Sequence, residues 1–185
     1  MKTRGHTREA LLQVLRLEFE TSGYDGTTLS QLASATGLSK ASLYHHFPGG
    51  KAEMAAALLR ESVAELEQLA FSKLSGKKPA HERLTAFLNG FQDYTRDGEG
   101  NCLVLVLSTG NASRMHGANI ASQYEEWLRR LTATYTDAGF KPKRAERQAT
   151  ELLSGLYGHL LTARITHEPE RFRQHVKRLK KQLSR

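Results

Sequence analysis

The chain has 185 residues, room for one large domain or two small ones with a proper core, and its 39% hydrophobic and 25% charged residues are those of an ordinary globular protein. No run approaches the roughly 18 uncharged apolar residues of a membrane helix, the opening MKTRGHTREALL lacks the cleavage site of a secretory signal, and the single Cys102 excludes an intramolecular disulfide, so a cytoplasmic location is expected. The net charge of +8 suggests nucleic acid, yet residues 1–50 carry five Lys/Arg against four Asp/Glu, residues 51–139 ten against eleven, and residues 140–185 twelve against four. With the surplus at the C-terminal end, DNA binding through the N-terminal part has to be argued from geometry.

Four prolines, and glycines mostly at junctions, predict an all-α chain of about nine helices. A first helix is expected over about 7–21, with Leu12, Leu15 and Phe19 at helical spacing and Gly23 as its stop. Thr28-Leu29-Ser30-Gln31 has the form of a capping box, in which the Thr28 hydroxyl accepts from the Gln31 amide and the Gln31 side chain reaches back. The short helix it opens ends at Gly37; Ser39 then caps another through His46, terminated by Pro48 and the glycine pair. A long helix is expected over 51–74, with further helices near 80–97, 100–109, 112–138, 142–166 and 168–184. The run Leu103–Leu107 is ambiguous by periodicity, and its setting favours a buried helix over a strand.

Two helices of about two turns each, joined by Gly37-Leu38-Ser39, match the helix-turn-helix layout over 28–47. Leu29, Leu32 and Ala33 face inward on the first, and Leu43 and Phe47 on the second. That leaves Lys40, Ala41, Ser42, Tyr44 and His45 outward with His46 at the rim, a surface without bulky aliphatics that suits a major groove about 12 Å wide.

These residues resemble the TetR family of bacterial transcriptional repressors: T-x-x-Q-L-A-x-x-x-G-L-S-K-A-S-L-Y-H-H-F-P-G-G-K over 28–51, preceded by F-E-T-S-G-Y-D-G-T-T over 19–28. Against that family's pattern, Arg16 and Glu18 of the first helix stand where apolar residues are usual. The glycine pair before Lys51 looks like the branch that includes regulators of multidrug-efflux and flavonoid-response genes. The resemblance implies an N-terminal DNA-binding domain of three helices over 5–65 and a ligand-binding, dimerising helical bundle over 66–185. It implies phosphate contacts by Thr28, Tyr44, His46 and Lys51 and groove contacts by Ser39, Lys40, Ala41, Ser42 and His45. The chemistry agrees, since hydroxyl, imidazole and ammonium groups donate to phosphate, Lys40 can donate to guanine, and Ala41 can touch a thymine methyl. With few cations on this surface a moderate salt slope is expected; a slope on the order of ten would point to the basic C-terminus. The implied function is a homodimeric repressor of a palindromic operator, released by a small apolar or aromatic inducer, with no cofactor and no membrane partner. An enzyme on a helical bundle is the competing class, but no paired-carboxylate, Cys–His or metal-ligand constellation appears.

The tempting alternatives are weak. His45-His46 are helix neighbours that diverge by about 100°, with no Cys, Asp or Glu at metal-ligand spacing. Gly50-Lys51 lacks the earlier Gly and the following Ser/Thr of a phosphate-binding Walker loop. His159, His167 and His175 recur every eight residues, and Pro169 between the second and third makes that regularity read as accidental. Cys102 opens a short apolar helix, where a thiol can react with electrophiles or oxidants, and Gly100-x-Cys102-Leu103-x-x-x-Leu107-Ser108 resembles electrophile-sensing relatives. Against this, a lone cysteine is commonly a small buried hydrophobe; unchanged induction in Cys102→Ser would end the sensor idea. Phe87, Phe91, Tyr94, Tyr124, Trp127, Leu131 and Tyr135 form aromatic-rich faces that serve mostly as core, and by resemblance Phe87, Phe91, Tyr94, Tyr124, Trp127 and Cys102 are candidates to line an inducer pocket. Leu152, Leu156, Leu160 and Ala163 form a stripe with Gly155 and Gly158 nearby; as an internal face it is core, while the resemblance makes the last two helices the dimer contact. Lys177, Arg178, Lys180, Lys181 and Arg185 read as a solvated helix end that complements its dipole.

Overall fold

The structure, a computed structural model, describes residues 7–183. Among them are nine α-helices and no strand. These are α1 (Arg8–Gly26), α2 (Leu29–Thr36), α3 (Lys40–His46), α4 (Gly50–Leu69), α5 (Ala80–Tyr94), α6 (Leu103–Leu107), α7 (Gly110–Asp137), α8 (Pro142–Thr166) and α9 (Glu170–Leu183). The helices fall into two compact units. One takes the residues up to Val63 together with Cys102–Ala118, and the other Ala64–Asn101 with Asn119–Arg185. The chain is therefore not cut once near 65; the segment 102–118 returns to the first unit. Residues 5 and 6 of the expected DNA-binding domain, Ser184 of the expected last helix and Arg185 of the basic end lie outside the described residues.

In the first unit the local signals act as read. Thr7 caps α1 by accepting from the Ala10 amide at 3.2 Å. Gly23 leaves helical geometry at φ 67° and ψ 179°, but the chain adds one more turn to Gly26 before α2. Arg16 is accommodated on α1: its Nε donates at 2.8 Å to Glu20, a carboxylate only 5% exposed, while Leu17 stands outward. Such a buried acid is tolerated because it is paired. The capping box is present, with Gln31 N to Thr28 Oγ1 at 3.2 Å and Thr28 N to Gln31 Oε1 at 2.8 Å. Gly37 closes α2 at φ 68°, where an L side chain is strained, and the Leu38 amide donates back to Ala33 O at 3.1 Å. Leu43 and Phe47 are fully buried, as are Leu15, Phe19 and Leu32 in the same unit, which fixes how α3 presents its outer face.

In the second unit α4 ends at Leu69 and a single 3-10 turn, Phe71–Leu74, replaces the rest of the expected helix. Likewise α5 stops at Tyr94, because Arg96 and Asp97 take positive φ values of 48° and 54°. Phe71 stacks on Trp127 with centroids 4.5 Å apart and meets Phe87 edge-on at 5.0 Å; Phe91 continues the cluster to Tyr157 at 5.7 Å. Pro142 sits at the first position of α8, where its missing N–H costs nothing.

Helices α8 and α9 pack as a hairpin that brings two of the three histidines together. His159 and His175 stack face to face with centroids 3.8 Å apart, while His167 caps α8 in the left-handed region, exposed. The two rings meet because the turn between α8 and α9 folds the chain back, so the eight-residue period itself stays incidental. The His175 ring lies over Gly155, where a Cβ would come within 3.0 Å of Nε2. No group of three metal-ligating side chains occurs among the described residues.

Burial, then His159, then Arg178, push the His175 imidazole down to about 4, and His159 moves in the same direction. The unfolded chain binds a proton below about 6.5 and the folded chain does not until about 4, so stability falls as pH drops through that window. Solvent screening of the half-buried ring limits the effect to on the order of 1 kcal/mol. Thermal unfolding at pH 5 and pH 7 should show a larger loss on acidification for the native chain than for His175→Gln.

Candidate nucleic-acid interface

The outer face of α3 is as expected in type and exposure. Lys40, Ala41, Tyr44 and His45 are exposed, with Tyr44 at 46%, while Ser42 and His46 are half-buried. Its entry is set by Ser39, whose Oγ accepts from the Ser42 amide at 3.0 Å and lies 2.9 Å from Ser42 Oγ. Two candidate contacts, Ser39 and Thr28, thus already spend their hydroxyls as N-caps; Thr28 Oγ1 also donates to Gln31 Oε1 at 2.7 Å. The first amides of α2 and α3 remain the natural anion donors at these positions.

Lys51 has a structural task that sequence reading missed. Its Nζ donates to the carbonyls of Tyr24 and Thr27, both at 2.8 Å, and lies 4.3 Å from the Tyr24 ring centre. Two of its three N–H groups thus tie α4 to the end of α1, leaving one to point elsewhere. Lys51→Met is expected to destabilise the chain by about 2 kcal/mol by orphaning two carbonyls. A denaturant midpoint measured without DNA checks this; a lysine used only for phosphate would leave it unchanged.

Arg8 is the second unforeseen anchor. Its Nη1 donates to His46 O at 2.5 Å, its Nη2 to Glu53 Oε1 at 2.8 Å, and its guanidinium lies 4.4 Å from the Phe47 ring centre. Glu53 in turn accepts from the Gly49 amide at 2.8 Å, and Arg8 followed by that amide holds its carboxyl below the usual carboxylate range. Gly50 has φ 61°, and a Cβ there would approach the Tyr44 ring at 3.1 Å, so the second glycine of the pair is required. Asp25 completes the corner by accepting from Asn111 N at 2.9 Å and Asn111 Nδ2 at 2.8 Å, contacts that hold its carboxyl low.

The other candidates lie apart from this face. Cys102 is 1% exposed at the N-cap of α6, in the first unit. Phe87, Phe91 and Trp127 are fully buried, Tyr94 is 5% exposed and Tyr124 half-buried, all in the second unit. The stripe Leu152, Leu156, Leu160 and Ala163 is core within the subunit, no more than 4% exposed. The apolar residues that stand free on α8 are Leu161 at 47% and Ile165 at 69%, one turn apart.

A capped pair of short helices, the second offering a small-residue polar face over a buried anchor, defines a helix-turn-helix DNA-binding unit. Residues 11–58 match the family model described as bacterial regulatory proteins, tetR family. The HTH-type transcriptional regulator LmrA of Bacillus subtilis is 28% identical over 161 residues, 85% of this chain and 86% of that protein. The repressor AcnR of Corynebacterium glutamicum is 36% identical over 64 residues, 35% of this chain and 34% of that one. A TetR transcriptional regulator from Chloroflexus aurantiacus shares the fold at a TM-score of 0.79 and 24% identity, covering 100% of this chain and 98% of that one. AibR, solved with isovaleryl coenzyme A and operator DNA, shares it at a TM-score of 0.66 and 22% identity, over 80% and 82% of the two chains. Residues 11–58 thus match a DNA-binding domain of the tetR family of bacterial regulatory proteins, and the chain is similar along most of its length to a transcriptional regulator.

Proposed function

We propose that this protein is a homodimeric repressor whose α3 reads a palindromic operator and whose second unit binds a small-molecule inducer. The observation that carries it is the α3 surface: Lys40, Ala41, Tyr44 and His45 outward, Leu43 and Phe47 fully buried behind. Phosphate contacts fall to Tyr44, His46, the remaining N–H of Lys51 and the N-terminus of α2 beside Thr28; base edges fall to Lys40, Ala41, Ser42 and His45, with Ser39 setting the helix entry. Leu161 and Ile165 offer the partner copy an apolar contact, and two-fold symmetry then sets half-sites one helical turn or a multiple of it apart. AibR, a protein of the same fold, holds both an acyl-coenzyme A and operator DNA.

Gel-shift titration of the chain against its own upstream DNA tests this reading. A sequence-specific complex with a moderate salt slope is expected, weakened by Tyr44→Phe, which removes the hydroxyl and keeps the ring. No specific complex at low salt would end the proposal, and a slope near ten would transfer the contact to the basic end.

A further inference from the structure

The second unit contains a cavity of about 800 Å³ where the start of α5, the end of α7, the start of α8 and the last turns of α9 meet. That volume lies within the roughly 300–1,000 Å³ of small-molecule sites. Leu84, Phe140 and Leu179 supply apolar wall, one each from α5, the α7–α8 turn and α9. Tyr135, Glu151 and His175 converge on the same space. His175 Nε2 is buried with no hydrogen-bond partner, a polar atom the fold leaves unsatisfied beside an opening. Burial pushes the Tyr135 hydroxyl up to about 12 and His175 down to about 4, so at neutral pH both are uncharged.

Charge decides the class of occupant. None of the fifteen lining residues is Lys or Arg, whereas Asp137 and Glu151 bring two carboxylates. Asp137 is committed to Arg83 at 2.7 Å. Glu151 accepts from Gln148 Nε2 at 2.9 Å and has its cation, Arg147, only at 3.7 Å, both side chains more than 60% exposed. Arg144 is turned to the face of Phe140, 4.9 Å from the ring centre. An exposed, loosely paired carboxylate exchanges its partner at little cost, while a polyanion would meet two carboxylates and no lining cation.

We propose that this cavity binds a lipophilic amine, its apolar body between Leu84, Phe140 and Leu179 and its protonated nitrogen paired with Glu151. This rests on the reading that the second unit holds the inducer site, and it excludes coenzyme A thioesters, whose phosphates require the cations this wall lacks. The probe is rhodamine 6G, a lipophilic cationic amine dye, titrated by fluorescence anisotropy against the full chain without DNA. Saturable binding is expected, weakened about tenfold by Glu151→Gln through loss of the charge-assisted contact. Leu179→Trp, which fills the cavity from a half-buried position, should weaken it at least as much, and isovaleryl coenzyme A should not compete. Circular dichroism verifies that each variant is folded, and either variant alone suffices. No dye binding, undiminished binding by the folded variants, or competition by the thioester overturns the proposal. Dye binding without release of the operator complex sinks the inducer reading and keeps the cavity assignment. Dye binding by a chain that forms no operator complex sinks only the repressor reading.

Discussion

Gly90→Ala is expected to lower the thermal unfolding midpoint by about 6–12 °C, the equivalent of about 3 kcal/mol in a chain of this size. A Cβ at Gly90 would lie 1.7 Å from the Leu69 carbonyl oxygen and 2.9 Å from Ala70 Cα. Those are backbone atoms, so no side-chain rotation relieves the overlap, and α5 must move away from the end of α4. The displacement would open the neighbouring stack of Phe71, Phe87 and Trp127. Gly117→Ala is the control. Its Cβ would meet only Ser113 Oγ at 3.6 Å within α7, so it should be neutral or stabilise by up to about 1 kcal/mol. Differential scanning calorimetry on both variants separates the close approach from the general effect of removing a glycine.

Ala41→Asp is expected to abolish operator binding, by at least about a hundredfold, while leaving the fold intact or slightly more stable. Ala41 is exposed in the first turn of α3, where a carboxylate complements the helix dipole. The same carboxylate would face DNA phosphates and base-edge acceptors. Opposite signs for stability and affinity distinguish a reading face from a structural one. Calorimetry paired with the gel shift gives both numbers, and parallel loss of the two would show that this surface matters only for folding.

The helix-turn-helix was legible because its determinants are local. Thr28 with Gln31, Gly37, and Ser39 with Ser42 lie within three residues of what they cap, so spacing alone places α2 and α3. What escaped notice joins residues far apart in sequence. Arg8 reaches His46 and Glu53 across 38 and 45 positions, and nothing around Arg8 marks it as different from the other surface arginines. Lys51 carried a chemistry that fits phosphate, and the two carbonyls that claim most of it come from α1 and the turn after it. Gly90 and the His159–His175 stack depend on how helices meet, which periodicity does not encode. Aromatic content likewise marks apolar surface without distinguishing a packed core, where Phe87, Phe91 and Trp127 lie, from the wall of a cavity, where Tyr135 and Phe140 lie.

The four residues Tyr24 to Thr27 receive Lys51 from α4 at two carbonyls and Asn111 from α7 at the Asp25 carboxylate. Both α4 and α7 run on beyond the first unit, past Val63 and Ala118. One short corner, immediately ahead of α2, is therefore where both of these helices are held within the first unit. A side chain at Gly110 would be strained at φ 60° and would displace the Asp25 carboxylate from Asn111, because its Cβ would lie 2.1 Å from Asp25 Oδ2. Changes at the exposed Ala41 or His45 leave these contacts untouched, whereas a change at Asp25, Lys51 or Asn111 breaks at least one of them.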